Sequence, residues 1–177
     1  QAANYEAVLG GDDTLVIEGS DGLGDEYKVT KPTAAVAPFV VPGSVAIEDL
    51  SNGVMVTEIS NELGRLQINT LGGDDTVTID VDATPLITVP ITFDGGANSD
   101  LLQVQGTPTG GAVSATYRPG PAVTEGRLTW VNAATMTVDI ANLEPVIDLV
   151  PGTLTVQGTD ADNAIDYRAA GVNGLVS

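Results

Sequence analysis

The chain has 177 residues, of which 24 are acidic and 6 basic, giving a formal charge of −18 and an isoelectric point near 4.1. Phosphate recognition needs clustered Lys and Arg, so this field excludes nucleic acid and anionic lipid as natural partners and favours cations. Cysteine and histidine are both absent, which removes disulfides, the usual zinc sites, a Cys nucleophile and a His general base.

Taken in chain order, the apolar residues form short runs alternating with period two: Leu15-Val16-Ile17, Val54-Met55-Val56, Leu66-Gln67-Ile68, Val77-Thr78-Ile79, Leu102-Gln103-Val104, Leu128-Thr129-Trp130, Met136-Thr137-Val138 and Leu154-Thr155-Val156. Thr-rich, β-branched alternation predicts half-buried strands. Turn clusters separate them at Gly10–Asp13, Asp21-Gly22, Asn52-Gly53, Gly72–Asp75, Asp94–Asp100, Gly110-Gly111, Pro119-Gly120, Pro151-Gly152 and Asn173-Gly174. Glycine supplies positive φ there, while Asn and Asp bond their own backbone. The expected class is all-β, with a core of Val, Ile, Leu and Ala because aromatics make up only 4%. No run of 18 apolar residues predicts a membrane helix. No basic segment leads into an apolar stretch, so any signal peptide is expected to have been removed.

The chain also repeats itself. Thr14–Gly19 matches Leu101–Gly106, 87 positions on; Tyr27 matches Tyr117 at 90; and Leu66–Asp75 matches Leu154–Asn163 at 88. In this register Asp13 answers to Asp100 and Asp75 to Asn163. Two units, residues 1–88 and 89–177, therefore cover the chain. Two architectures fit. A parallel β-helix, a solenoid of coils of about 20–25 residues, suits the turn spacing and the scarcity of aromatics. Two tandem immunoglobulin-like β-sandwich domains suit the unit length and the Asn-Gly hairpin signals. The β-helix is the first expectation. In the repeat register the last residues of the chain lead into the first, so open sheet edges and head-to-tail assembly with itself, or with further repeats, are expected.

Paired carboxylates behind double glycines are candidate ligands for a hard cation, because such turns expose carbonyls beside the acids. The candidates are Asp12 and Asp13, Asp74 and Asp75, Asp94, Asn98 and Asp100, and Asp160, Asp162 and Asn163, with Ca²⁺ as the expected ion. Each also has a plainer reading as a turn cap. Gly95-Gly96-Ala97-Asn98-Ser99-Asp100-Leu101-Leu102 nearly matches the nonapeptide G-G-x-G-x-D-x-U-x, with Asn98 at the third glycine. Here the chain resembles the haemolysin-type calcium-binding repeats of secreted bacterial proteins, although its copies are not consecutive.

A wider resemblance rests on Leu71–Val77, Ile91–Gly96, Leu102–Thr107, Asn142–Val146 and Leu154–Thr159, which look like the repeats of giant bacterial surface and matrix proteins. That resemblance implies an extracellular or cell-surface protein, β-rich and adhesive or fibre-forming. The expected function is structural: a segment or subunit of a fibre, surface layer or adhesin. The alternative is a Ca²⁺-dependent module binding carbohydrate or protein, with glycans as partners. No enzyme is expected. Asp80 with Asp82, or Asp160 with Asp162, could form an acid–base pair, but the six basic residues and few aromatics make no substrate cleft. Trp130 and Tyr117 are read as core before sugar platforms, and Lys28 and Lys31 as solvated before isopeptide donors.

Overall fold

Side-chain alternation carries through into strands. The computed structural model describes residues 4–7, 13–33, 44–58, 63–143, 146–148 and 150–162, and these form fourteen strands and no helix. The first seven are β1 (Asn4–Ala7), β2 (Thr14–Glu18), β3 (Glu26–Thr30), β4 (Val45–Asp49), β5 (Val54–Glu58), β6 (Arg65–Asn69) and β7 (Thr76–Asp80). The second seven are β8 (Ile91–Asp94), β9 (Leu101–Gln105), β10 (Val113–Pro119), β11 (Gly126–Val131), β12 (Thr135–Ala141), β13 (Val146–Asp148) and β14 (Gly152–Val156). All eight apolar triplets read from the sequence fall inside strands. In β7, Val77 and Ile79 are fully buried while Thr76, Thr78 and Asp80 are only partly so, as a half-wet strand requires.

The strands make two mixed seven-stranded sheets. Sheet one runs β1-β5-β4-β3-β7-β9-β13, and sheet two runs β14-β10-β11-β12-β8-β6-β2. One pairing pattern occurs twice. In the first half β1, β2 and β3 pair in parallel with β5, β6 and β7, and β4 lies antiparallel between β3 and β5. In the second half β8, β9 and β10 pair in parallel with β12, β13 and β14, and β11 lies antiparallel between β10 and β12. The sheets exchange roles between halves: the first half gives five strands to sheet one and two to sheet two, the second half the reverse. Two parallel ladders join the halves, β6 to β8 and β7 to β9.

This topology corrects two expectations. Strands from both sides of residue 88 share both sheets, so the halves are not separately closed sandwiches. Period-two alternation is the same in parallel and antiparallel strands, which is why the sequence left both open. The match of Thr14–Gly19 with Leu101–Gly106 does superpose β2 on β9, which hold equivalent places. The match of Leu66 with Leu154 pairs β6 with β14, however, whereas the ladders make β13 the counterpart of β6 and β14 that of β7.

One core serves both sheets. Parallel register stacks like on like: Leu66, Ile91 and Val138 form one buried row, Ile68, Phe93 and Ile140 a second, and Val29, Ile79 and Val104 a third. Each such side chain contributes about 1.5–3 kcal/mol on leaving water. Trp130 and Met136, cross-strand partners on β11 and β12, are fully buried. The Asn52-Gly53 signal is a real hairpin between β4 and β5: Gly53 has φ 67, its N–H donates to Asp49 O at 2.8 Å, and Asp49 Oδ1 accepts from Ser51 N and Asn52 N. Asn173-Gly174 lies outside the described residues.

Candidate functional site

Three of the connections from sheet two to sheet one are described throughout, those between β2 and β3, β6 and β7, and β8 and β9. They lie on one another. Asp21 bridges to Gly72 and Gly72 to Ala97 in parallel, the Gly22 N–H donates to Gly72 O at 2.6 Å, and the Ala97 N–H donates to Leu71 O at 2.9 Å. Such close stacking leaves no room for side chains at the contact points. A Cβ on Gly96 would strike the carbonyl of Leu71, and one on Gly73 the carbonyl of Leu23; both glycines also have positive φ.

At the exit of each turn sits a buried aspartate: Asp25 (5% exposed), Asp75 (1%) and Asp100 (1%). Each carboxylate of the stack reaches a backbone amide. Asp100 Oδ1 accepts from Asp75 N at 3.0 Å, Asp75 Oδ1 from Asp25 N at 2.6 Å, and Asp25 Oδ2 from Ser20 N at 2.6 Å. The first two bonds tie one turn to the next and the third closes the β2–β3 turn on itself; all three satisfy N–H groups that would be costly to bury alone. Asp75 Oδ2 is buried with no hydrogen-bond partner among the described residues.

The other candidate ligands are distributed as follows. Asp74 Oδ1 accepts from Ser99 N at 3.2 Å. Asp94 Oδ1 accepts from Gly96 N at 3.1 Å and from Asn142 Nδ2 at 2.9 Å. Asn98 has φ 85, the left-handed conformation that lets it stand where the nonapeptide has glycine. Asp160 and Asp162 are exposed. Asp12 and Asn163 lie outside the described residues. Asp13 opens β2 and offers its carbonyl to Gly64 N and Arg65 N, at the opposite end of that strand from the stacked turns. The twin Gly-Gly-Asp-Asp motifs thus enter different sheets, and the residues that share the geometry of Asp75 are Asp25 and Asp100. Asp25 escaped the sequence reading because its turn is one residue longer. It shares with Asp75 and Asp100 the position directly before a strand of sheet one, whereas Asp13 holds that position before a strand of sheet two. Among the described residues no group of three or more acidic side chains is arranged to hold a metal ion.

Charge elsewhere is locally paired. Lys28 Nζ lies 2.9 Å from Asp80 Oδ2 across β3 and β7, so this lysine is an ion-pair partner. Burial raises the Asp80 carboxyl, but the Asp82 N–H, the Lys28 ammonium and the Gln105 amide outweigh it and hold it below its ordinary value. Asp82 in turn accepts from Thr107 N at 3.1 Å. Arg127 binds Asp139 through two bonds across β11 and β12, and its pKa is raised by that contact. Burial first, then Asp25, Asp49 and Asp75, push the Tyr27 phenol up to about 12.

Apolar surface is exposed at both ends of sheet two. Leu154 and Val156 of edge strand β14 are 53% and 47% exposed, and with Tyr117, Leu128, Ile140 and Leu143 they line a cleft of about 380 Å³. Val16, on edge strand β2 at the other end of the same sheet, is 46% exposed. Comparison with known proteins returns no matching family model, no matching curated protein and no matching solved structure.

Proposed function

We propose that this chain is a structural repeat protein of bacterial extracellular type, a β-helix-like block that stacks head to tail into a fibre, surface layer or adhesin stalk. The observation that carries the reading is the pair of parallel ladders by which one seven-strand half follows another, β6 to β8 and β7 to β9. A block whose halves join by continuing two sheets at once has a rule for adding further blocks, and repeat proteins gain stability by such nearest-neighbour contacts. The aspartate stack supports the same role, since its carboxylates hold one turn to the next. The acidic charge supports an exposed, soluble assembly surface.

Sedimentation velocity over a wide concentration range tests the reading. It expects an open-ended series of oligomers, whereas a monomer at every concentration contradicts it. Because the stacked carboxylates bond to amides, the series and the thermal midpoint are expected to be the same in Ca²⁺ and in EDTA.

A further inference from the structure

We infer that a second copy of this chain docks its β2 in parallel on β14, with Leu15 opposite Leu154 and Ile17 opposite Val156, while its β1 adds in parallel to β13. This rests on the head-to-tail reading and adds the edge, the polarity and the register. The internal junction supplies the pattern. There β9 follows β7 with Leu102 opposite Val77 and Val104 opposite Ile79, and β8 follows β6. In the repeated pairing scheme β14 holds the place of β7, β13 that of β6, β2 that of β9 and β1 that of β8. Sheet identity agrees without adjustment, because β14 and β2 are the two edges of sheet two, and β13 and β1 the two edges of sheet one.

The side chains set the register. Leu154 and Val156 pair with Ala115 and Tyr117 of β10, and Ala115 belongs to the core, with Tyr117 packed against it. Leu15 and Ile17 likewise pack against the core. Each edge offers two core-facing aliphatics two residues apart, so only one alignment matches both pairs, and a one-residue slip would turn them outward. Within the strand itself, β14 also lacks the usual safeguards. Soluble proteins blunt edges with charges, proline or bulges, but Gly152-Thr153-Leu154-Thr155-Val156 carries no charge and no proline within the strand. The cleft beside it would close as Leu15 and Ile17 arrive.

The test uses the absence of natural cysteine. Thr155 and Val16 lie one residue from the matched aliphatics and are both exposed. The double variant Thr155→Cys with Val16→Cys should give a ladder of multimers under a short thiol crosslinker, and each single variant at most dimers. Thr155→Cys with Glu18→Cys, two residues out of register on the same face, should crosslink about tenfold less or weaker. Leu154→Lys should raise the concentration needed for association about tenfold or more, with an unchanged circular dichroism spectrum. An equal ladder from the mismatched pair, or none from the matched pair while the wild-type chain still associates, overturns this joint and leaves the head-to-tail reading standing. A wild-type chain that stays monomeric at every concentration removes both.

Discussion

At the scale of single residues, burial decides which polar groups matter. Tyr27 faces the core at 5% exposure, and its phenol titrates near 12 where an ordinary tyrosine titrates near 10. The unfolded chain ionises this group first as pH rises, so the folded state holds the extra proton between those values. Stability from this residue is therefore complete below pH 10 and is lost as pH rises through 12, by about 3 kcal/mol at most. Denaturant unfolding of wild type and Tyr27→Phe at pH 9 and pH 12 should show a steeper loss in wild type; parallel losses would contradict it. The buried aspartates were only half legible. Asp75 and Asp100 stood out as turn acids beside double glycines, a chemistry that fits an ion as well as an amide. The amide partner is the N–H of the neighbouring turn, which arrives from 25 or 50 residues away and leaves no mark in the local sequence.

At the scale of elements, eight of the fourteen strands were legible and their pairing was not. Val77-Thr78-Ile79 and Leu102-Gln103-Val104 announce themselves by alternation, yet nothing in either says that they run parallel side by side. The Asn52-Gly53 hairpin was legible because its turn chemistry is local. Strands such as β8, Ile91–Asp94, were missed as elements because a four-residue run beside prolines and glycines gives little periodicity. Stacking of the turns makes a sharp contrast between two glycines of like φ. Gly22 (φ 84) has open space at its Cβ position, whereas a Cβ on Gly96 (φ 85) meets the Leu71 carbonyl. Gly22→Ala should cost about 1–2 kcal/mol from the left-handed backbone alone. Gly96→Ala adds a backbone collision and should lie in the tail above about 3 kcal/mol. Equal costs in chemical denaturation would mean that the turns do not bear on one another.

At the scale of the whole molecule, the doubled unit was legible through Thr14–Gly19 and its echo at Leu101–Gly106. The exchange of sheets between halves was hidden, because β2 and β9 read alike in sequence although one lies in sheet two and the other in sheet one. That exchange means that, in the proposed stack, fourteen strands and not seven restore the starting arrangement. Seven strands per sheet at about 4.8 Å spacing advance about 34 Å along the assembly. Electron microscopy of the concentrated protein, with a power spectrum along any filament, bears most directly on this account. It predicts filaments with an axial repeat of about 34 Å and strands crossing the axis at about 4.8 Å spacing. Isolated particles at every concentration, or filaments without those two spacings, would contradict it.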